Sequence, residues 1–337
     1  MTFLISVRNF SQFNWEFFYS QKILINEEGF MKKLFTAVML TASMALFAHG
    51  EEGGYVKSDF YKTMEKNDKA SVLMVHFGTT FDDTRANTID AVNKEAEKEF
   101  KKIPVKEAYT SRIIMRRLKE RGIVKDNPAE ALDKLAAEGY THIIVQPTNI
   151  INGIESKTLE KQLEMYQDKF KEIRVGSALL TTPEDYKMVA EIINKEVGNL
   201  SDDEAVVLVG HGTHDSGNAA YPAMDYTAKS LGYNFHVGTI EGFPTFENVV
   251  ANLKEKGTKK IILMPFMFVA GDHANNDIAV DWKEALEKEG FIVENKMVSL
   301  GMMKDIRKMF IDHAKFMLEN KEEDMLSKKL FYSQQKD

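Results

Sequence analysis

From Lys69 to Leu318 the chain alternates short apolar runs with longer stretches in which apolar positions recur every three or four residues. Runs of the first kind have strand length, and periodic stretches of the second kind are helical. The spacing predicts strands at Ser71–Val75, His142–Gln146 and Ile173–Leu180, and helices at Thr84–Lys102, Asn127–Glu138, Glu155–Phe170 and Pro183–Val197. Pro128, whose fixed φ suits a first helical turn, and Gly139, just past the last periodic position, bracket one of these helices. A second series follows in similar order. It has strands at Ala205–Val209, Phe235–Ile240, Lys260–Met264 and Ile292–Ser299, and helices at Ala219–Leu231, Phe246–Lys256, Trp282–Gly290 and Met303–Leu318. Strands alternating with helices at this spacing imply parallel sheets flanked by helices, an α/β fold.

The two series repeat in residues as well as in order. Leu135-x3-Gly139-x3-Ile143-Ile144-x2-Pro147-x5-Gly153-x-Glu155 matches Leu253-x3-Gly257-x3-Ile261-Ile262-x2-Pro265-x5-Gly271-x-His273 at a constant offset of 118. Ala70–Val75, followed by His76-x-Gly78-Thr79, resembles Ala205–Gly210, followed by His211-Gly212-Thr213. This second match pairs His76 with His211. Two copies of one Rossmann-like unit, 70–200 and 201–318, are therefore expected to face each other across a cleft. Open parallel sheets bind ligands at the carboxyl ends of their strands. The loops there carry His76, Glu155, His211, Glu241 and His273.

The segments outside the repeat read differently. Met31-Lys32-Lys33, the uncharged apolar run Leu34–Phe47 and the small residues of Ala48-His49-Gly50 form the three parts of a secretory signal peptide. The run is short for a membrane span, so no stable membrane insertion of the mature chain is expected. The mature protein is expected to start near Glu51 and to be periplasmic. Residues 1–30 fit no targeting pattern and read as translated leader, with Met31 as the true start. Residues 51–69 read as a polar lead-in and 319–337 as a charged tail.

Composition narrows the chemistry. The chain has 337 residues, with 44 Lys and Arg against 51 Asp and Glu, a net charge of −7. It has no basic tract to meet nucleic-acid phosphates, and a nucleic-acid partner is excluded. Cysteine is absent, so any metal site must use His, Asp, Glu or water. The sequence is compatible with a homo-oligomer but does not encode one.

His211 ends an apolar strand and lies between Gly210 and Gly212, which let backbone approach a ligand closely. His273 follows an apolar strand in the polar turn Gly271-Asp-His-Ala-Asn-Asn-Asp277, where Asp272 or Asp277 could hold its second ring nitrogen. Glu241 precedes Gly242-Phe243-Pro244 at the end of another strand. Each has an ordinary alternative: a hydrogen-bonded strand-end histidine, an Asx turn, a helix-entry cap. Together, two imidazoles and one carboxylate suit Co²⁺, Fe²⁺, Ni²⁺ or Zn²⁺ with open positions. They are too poor in oxygen for Ca²⁺ or Mg²⁺. Glu155, the repeat partner of His273, would enter the cleft from the opposite half, unless it is simply an acid at a helix start. His76 is either a substrate contact or a buried hydrogen-bonded histidine. The methionines, Met302, Met303 and Met309 among them, read as core filling.

His76-Phe-Gly-Thr-Thr80, Tyr109-Thr-Ser111, Ile150-Ile-Asn-Gly153-x-Glu155, Val209-Gly-His-Gly212, Val237-Gly-Thr-Ile-Glu-Gly-Phe-Pro244 and Leu263-Met-Pro-Phe-Met-Phe-Val-Ala-Gly-Asp-His-Ala274 resemble the sirohydrochlorin cobaltochelatases of the anaerobic cobalamin pathway, relatives of the ferrochelatases. The resemblance runs from about Ser71 to Leu318. It implies two chelatase-type lobes gripping a tetrapyrrole and a lyase that inserts Co²⁺ with release of two protons. Fe²⁺ and Ni²⁺ are alternative ions, and no organic cofactor is expected. It places the metal on His211, Glu241 and His273, gives His211 and Glu155 catalytic roles, and assigns His76, Thr79, Thr80 and Glu155 to the tetrapyrrole. One position departs from the pattern: Asn149 stands where some members carry a histidine. Arg112, Arg116 and Lys157 are the cations expected to meet the substrate's carboxylates. The competing functions are a periplasmic haem or cobalt carrier on the same fold and a ferrochelatase.

Overall fold

The structure, a computed structural model, describes residues 54–271 and 274–334. The expected leader, the signal peptide, the expected ligand His273 and its neighbour Asp272 lie outside the described residues. In the first half, β1 (Tyr55–Lys57) and β2 (Ala70–His76) precede α1 (Asp82–Asn87), α2 (Ile89–Glu99), β3 (Val105–Tyr109), α3 (Arg112–Glu120), α4 (Pro128–Ala137), β4 (His142–Pro147), α5 (Ile154–Glu164), β5 (Glu172–Val175) and α6 (Pro183–Val197). The second half runs β6 (Glu204–Gly210), α7 (Ala220–Ser230), β7 (Phe235–Thr239), α8 (Phe246–Glu255) and β8 (Lys260–Pro265). A π-helical stretch, Ala274–Trp282, then continues into α9 (Lys283–Lys288), β9 (Ile292–Asn295) and α10 (Lys304–Glu319). The end of the chain forms β10 (Asn320–Glu322) and α11 (Met325–Gln334).

The halves form two parallel four-stranded sheets with matching orders, β3-β2-β4-β5 and β7-β6-β8-β9. Their strands bury both faces. In β2, Val72 and Met74 enter one core while Leu73 and Val75 enter another. In β6, Val206 and Leu208 join the core of Val72 and Met74, while Val207 and Val209 turn to the far side. The inner faces of both sheets thus share one core, and helices cover each outer face. Each fully buried Val or Leu contributes roughly 1.5–3 kcal/mol. Separating the halves would open a shared core that also holds Phe60, Phe235, Phe266 and Phe310. Residues Tyr55–Asp337 accordingly form one compact unit. Helix α10, at the end of the second half, packs on α2 and β4 of the first, and α6 packs on α7.

Four elements differ from the sequence expectation. The helix expected over 84–102 is two helices, because the Thr88 hydroxyl bonds the Thr84 carbonyl and the Thr88 backbone leaves helical geometry (φ −123°, ψ −78°). Strand β3 and helix α3 were not expected. β3 lies at a sheet edge, so Lys106 points out and Glu107 is only half-buried, and no apolar run marks it. Strand β5 ends at Val175, short of the expected Leu180; Gly176 N–H still donates to Val145 O (2.8 Å), and the Gln146 side chain fills the space where a Cβ at 176 would sit.

The polar lead-in and charged tail also join the fold. β1 and β10 pair antiparallel, with Val56 opposite Lys321. Buried Arg174 on β5 donates to the carbonyls of Ser58 (2.7 Å), Met317 (2.8 Å) and Asn320 (2.9 Å) and pairs with Glu172 (3.0 Å). Hydrogen bonds from a charged donor contribute about 1.5–3 kcal/mol each. That is how segments too polar to build a core of their own are held.

Register corrects one equivalence. Val75 lies opposite Pro147 and Val209 opposite Pro265, the two prolines that the repeat aligns. Val75 therefore corresponds to Val209, His76 to Gly210, and Phe77 to His211. The edge strands agree: His76 lies opposite Tyr109 as Gly210 lies opposite Thr239. His76 is not the counterpart of His211. The sequence match slipped by one residue, which in a strand exchanges the two faces.

Candidate metal centre

Strands β6 and β7 run beyond their formal ends. Ile240 N–H donates to Gly210 O (3.0 Å), and Glu241 N–H donates to His211 O (2.8 Å). Continued pairing brings the two side chains level, with His211 Nε2 3.7 Å from Glu241 Oε1 and both about half exposed. Their surroundings are fixed by three contacts. Gly210 has no side chain because the Tyr221 ring fills the space, with its Cε1 2.2 Å from where a Cβ would be. The Tyr221 hydroxyl in turn accepts the Gly212 N–H (3.3 Å). Gly212 takes φ +84°, and a Cβ there would fall 1.8 Å from the Glu241 carbonyl oxygen. Asn218 ties the two turns, accepting from Thr213 N (3.2 Å) and donating to Phe243 O (2.7 Å). Such a pair, one imidazole nitrogen beside one carboxylate with room on its open side, can serve as two ligands of a divalent transition metal.

Among the described residues, no group of three or more His, Asp or Glu side chains is placed to hold a metal. The third expected ligand, His273, lies outside the described residues, but the chain leading to it is placed. Ala270 O accepts from the Thr84 hydroxyl (3.4 Å), and a Cβ on Gly271 would lie 3.9 Å from Thr79 Oγ1. The strand-end loops of the two halves meet at a second point. Lys157 Nζ binds both oxygens of Asp215 (2.7 and 2.9 Å) and the Ser216 hydroxyl (2.9 Å). Gly217 lies against the Asn152 backbone so closely that a Cβ would be 2.4 Å from its carbonyl oxygen. Lys157, expected to meet a substrate carboxylate, is instead spent on Asp215. Arg112 and Arg116 are exposed on α3.

The residues expected at the tetrapyrrole separate into two kinds. Glu155 is exposed in the first turn of α5, two residues from the Lys157 tie. Thr80 is half-buried, while Thr79 and His76 are each 1% exposed. Both His76 nitrogens are occupied, Nδ1 by Thr148 Oγ1 (3.0 Å) and Nε2 by Asn93 Oδ1 (2.9 Å). Asn93 gives its amide N–H to Glu107 (3.0 Å), so its oxygen faces His76 and accepts from Nε2. Burial pushes the His76 pKa down to about 4, outweighing the opposing pull of Glu107 and Asn93. His76 is thus a neutral imidazole that fixes the end of β2 and stacks beside Phe268 at 6.2 Å. Glu241 and His211 combine where His76 does not.

A two-lobed α/β molecule with a strand-end His–Glu pair has the build of a metal-handling protein. Comparison with known proteins makes this specific. Residues 69–319 match the family described as Cobalt chelatase (CbiK), and the chain belongs to that family. It is 33% identical over 250 residues to the sirohydrochlorin cobaltochelatase of Salmonella typhimurium, covering 73% of this chain and 95% of that one. It is 31% identical over 229 residues to the sirohydrochlorin cobaltochelatase CbiKC of Nitratidesulfovibrio vulgaris, covering 66% of this chain and 81% of that one. The solved structure of SirB from Bacillus subtilis with Fe³⁺ shares the fold, with a TM-score of 0.55 at 13% identity over 73% of this chain and 94% of that one.

Gly212→Ala tests the turn. Left-handed backbone costs a residue with a Cβ about 1–2 kcal/mol, and the clash with Glu241 O adds to it. The variant should bind Co²⁺ at least roughly tenfold more weakly by calorimetric titration, with its circular dichroism spectrum unchanged. Unaltered Co²⁺ affinity would show that the turn does not set the ligand geometry.

Proposed function

We propose that this chain is a sirohydrochlorin cobaltochelatase, inserting Co²⁺ into sirohydrochlorin with release of two protons. The observation that carries the proposal is the 3.7 Å His211–Glu241 pair at the strand ends of a chain of the cobalt chelatase family. In this reading His211, Glu241 and His273 take up the metal, and the ring nitrogens replace them one at a time. Neither His211 nor Glu241 is deeply buried, so the ligand shell can open without exposing a core. Glu155, at the equivalent strand end of the other half, stands as the proton acceptor. A base is required because each M–N bond to a pyrrolic nitrogen forms as an N–H bond breaks. Thr79 and Thr80 support the substrate side, and His76 does so only indirectly, through the loop it anchors. Co²⁺ is the proposed ion because the Salmonella typhimurium and Nitratidesulfovibrio vulgaris relatives carry cobaltochelatase names; Fe²⁺ and Ni²⁺ suit the same ligands.

Export is part of the proposal. The charged, apolar and small-residue segments of 31–50 support a mature periplasmic chain beginning near Glu51. No helix among the described residues is long and apolar enough to cross a membrane. Intact mass of the protein released from the periplasm should correspond to a start near Glu51; a mass retaining 31–50 would contradict export with cleavage.

The catalytic test mixes the mature protein with Co²⁺ and metal-free sirohydrochlorin and follows the macrocycle absorbance. His211→Ala and His273→Ala should each slow insertion by about a hundredfold or more. Insertion at the parent rate in both variants would overturn the ligand assignment. Tight tetrapyrrole binding without turnover in the parent would make the protein a carrier.

A further inference from the structure

The register that separates His76 from His211 leaves Phe77 as the first-half residue at the ligand position. The correspondence extends beyond the strands. Thr110 N–H donates to His76 O (2.8 Å) as Ile240 N–H donates to Gly210 O (3.0 Å), and Ser111 N–H donates to Phe77 O (3.2 Å) as Glu241 N–H donates to His211 O (2.8 Å). Phe77 and Ser111 thus stand in the first half where His211 and Glu241 stand in the second. Glu155 stands where the repeat places His273.

The first half therefore holds the backbone of the metal site without its imidazoles. Phe77 is 48% exposed, close to the 43% of the His211 side chain. Phe77 thus presents a large aromatic ring to solvent at the position where the second half presents His211. Ile113, Ile154 and Phe243 are each more than half exposed, and each follows a strand end of the two sheets. Exposed apolar side chains in the loops after the strand ends suit a flat aromatic ligand.

We propose that Phe77, the first-half counterpart of His211, is the platform against which the tetrapyrrole ring rests. This rests on the proposed function above and adds to it a division of labour: the second half holds the ion, and the first half's copy of the same site holds the ring. Phe77 is a binding and positioning residue, with no role in holding the metal.

The test separates ring binding from ion binding in the full mature chain. Metal-free sirohydrochlorin is titrated by absorbance, and Co²⁺ is titrated separately by calorimetry without tetrapyrrole. Phe77→Ala should weaken ring binding roughly tenfold and raise KM for the ring in the insertion assay more than it lowers kcat. Its Co²⁺ affinity should stay within about twofold of the parent. Phe77→Trp, which keeps an aromatic face, should bind the ring nearly as the parent does, and both variants should keep the parent's circular dichroism spectrum. Ring affinity unchanged in Phe77→Ala overturns the assignment while leaving the chelatase reading intact. A fall in Co²⁺ affinity matching the fall in ring affinity overturns it too, by making Phe77 a support of the ion site. A parent that binds no tetrapyrrole overturns the function, and the platform with it.

Discussion

The structure depends on two backbone hydrogen bonds that carry the β6–β7 ladder past the ends of its strands. Without the bonds from Ile240 to Gly210 and from Glu241 to His211, the two side chains would belong to separate loops. With them, an imidazole and a carboxylate are held side by side by the sheet itself, the stiffest element available. The glycines follow from this arrangement. Gly210 yields its volume to Tyr221, and Gly212 lets the turn pass over the Glu241 carbonyl. A metal site made this way needs no dedicated loop and no cysteine.

The same scaffold occurs twice, and the two copies are chemically different. In the second half the inner position at the strand end is Gly210, whose space the Tyr221 ring fills, and the next residue is His211. In the first half that inner position holds His76, locked neutral between Thr148 and Asn93, and the next residue is Phe77. A chelatase must grip both an ion and a tetrapyrrole ring, and in our proposal the duplicated unit offers one strand end for each. The shared inner core, together with the Lys157–Asp215 tie, fixes the two ends relative to one another.

Much of this was legible in the sequence. Buried parallel strands write continuous apolar runs, so β2, β4, β6 and β8 could be read directly, and a constant offset joined β4 to β8. The family was legible in long motifs with glycines at fixed places, and the strand-end positions of His211 and Glu241 could be read from the same motifs. What escaped has physical causes. Edge strand β3 alternates charge with apolar residues and resembles a loop, so the turn carrying Ser111 could not be aligned with that of Glu241. The His76–His211 match put like residues together, whereas the fold aligns hydrogen-bond register. Arg174 gave no signal at all, because its partners are backbone carbonyls distant in sequence. The spending of Lys157 on Asp215 was hidden for a similar reason, since the contact spans the two halves.

The central claim is that the ion is held by the second half alone. X-ray absorption at the cobalt edge, on the mature protein loaded with one equivalent of Co²⁺ and no tetrapyrrole, tests it most directly. The account predicts a nitrogen and oxygen shell with multiple scattering from two imidazole rings, reduced to one ring in His211→Ala and unchanged in His76→Asn. A spectrum without imidazole scattering, or one that loses a ring in His76→Asn but not in His211→Ala, would contradict it.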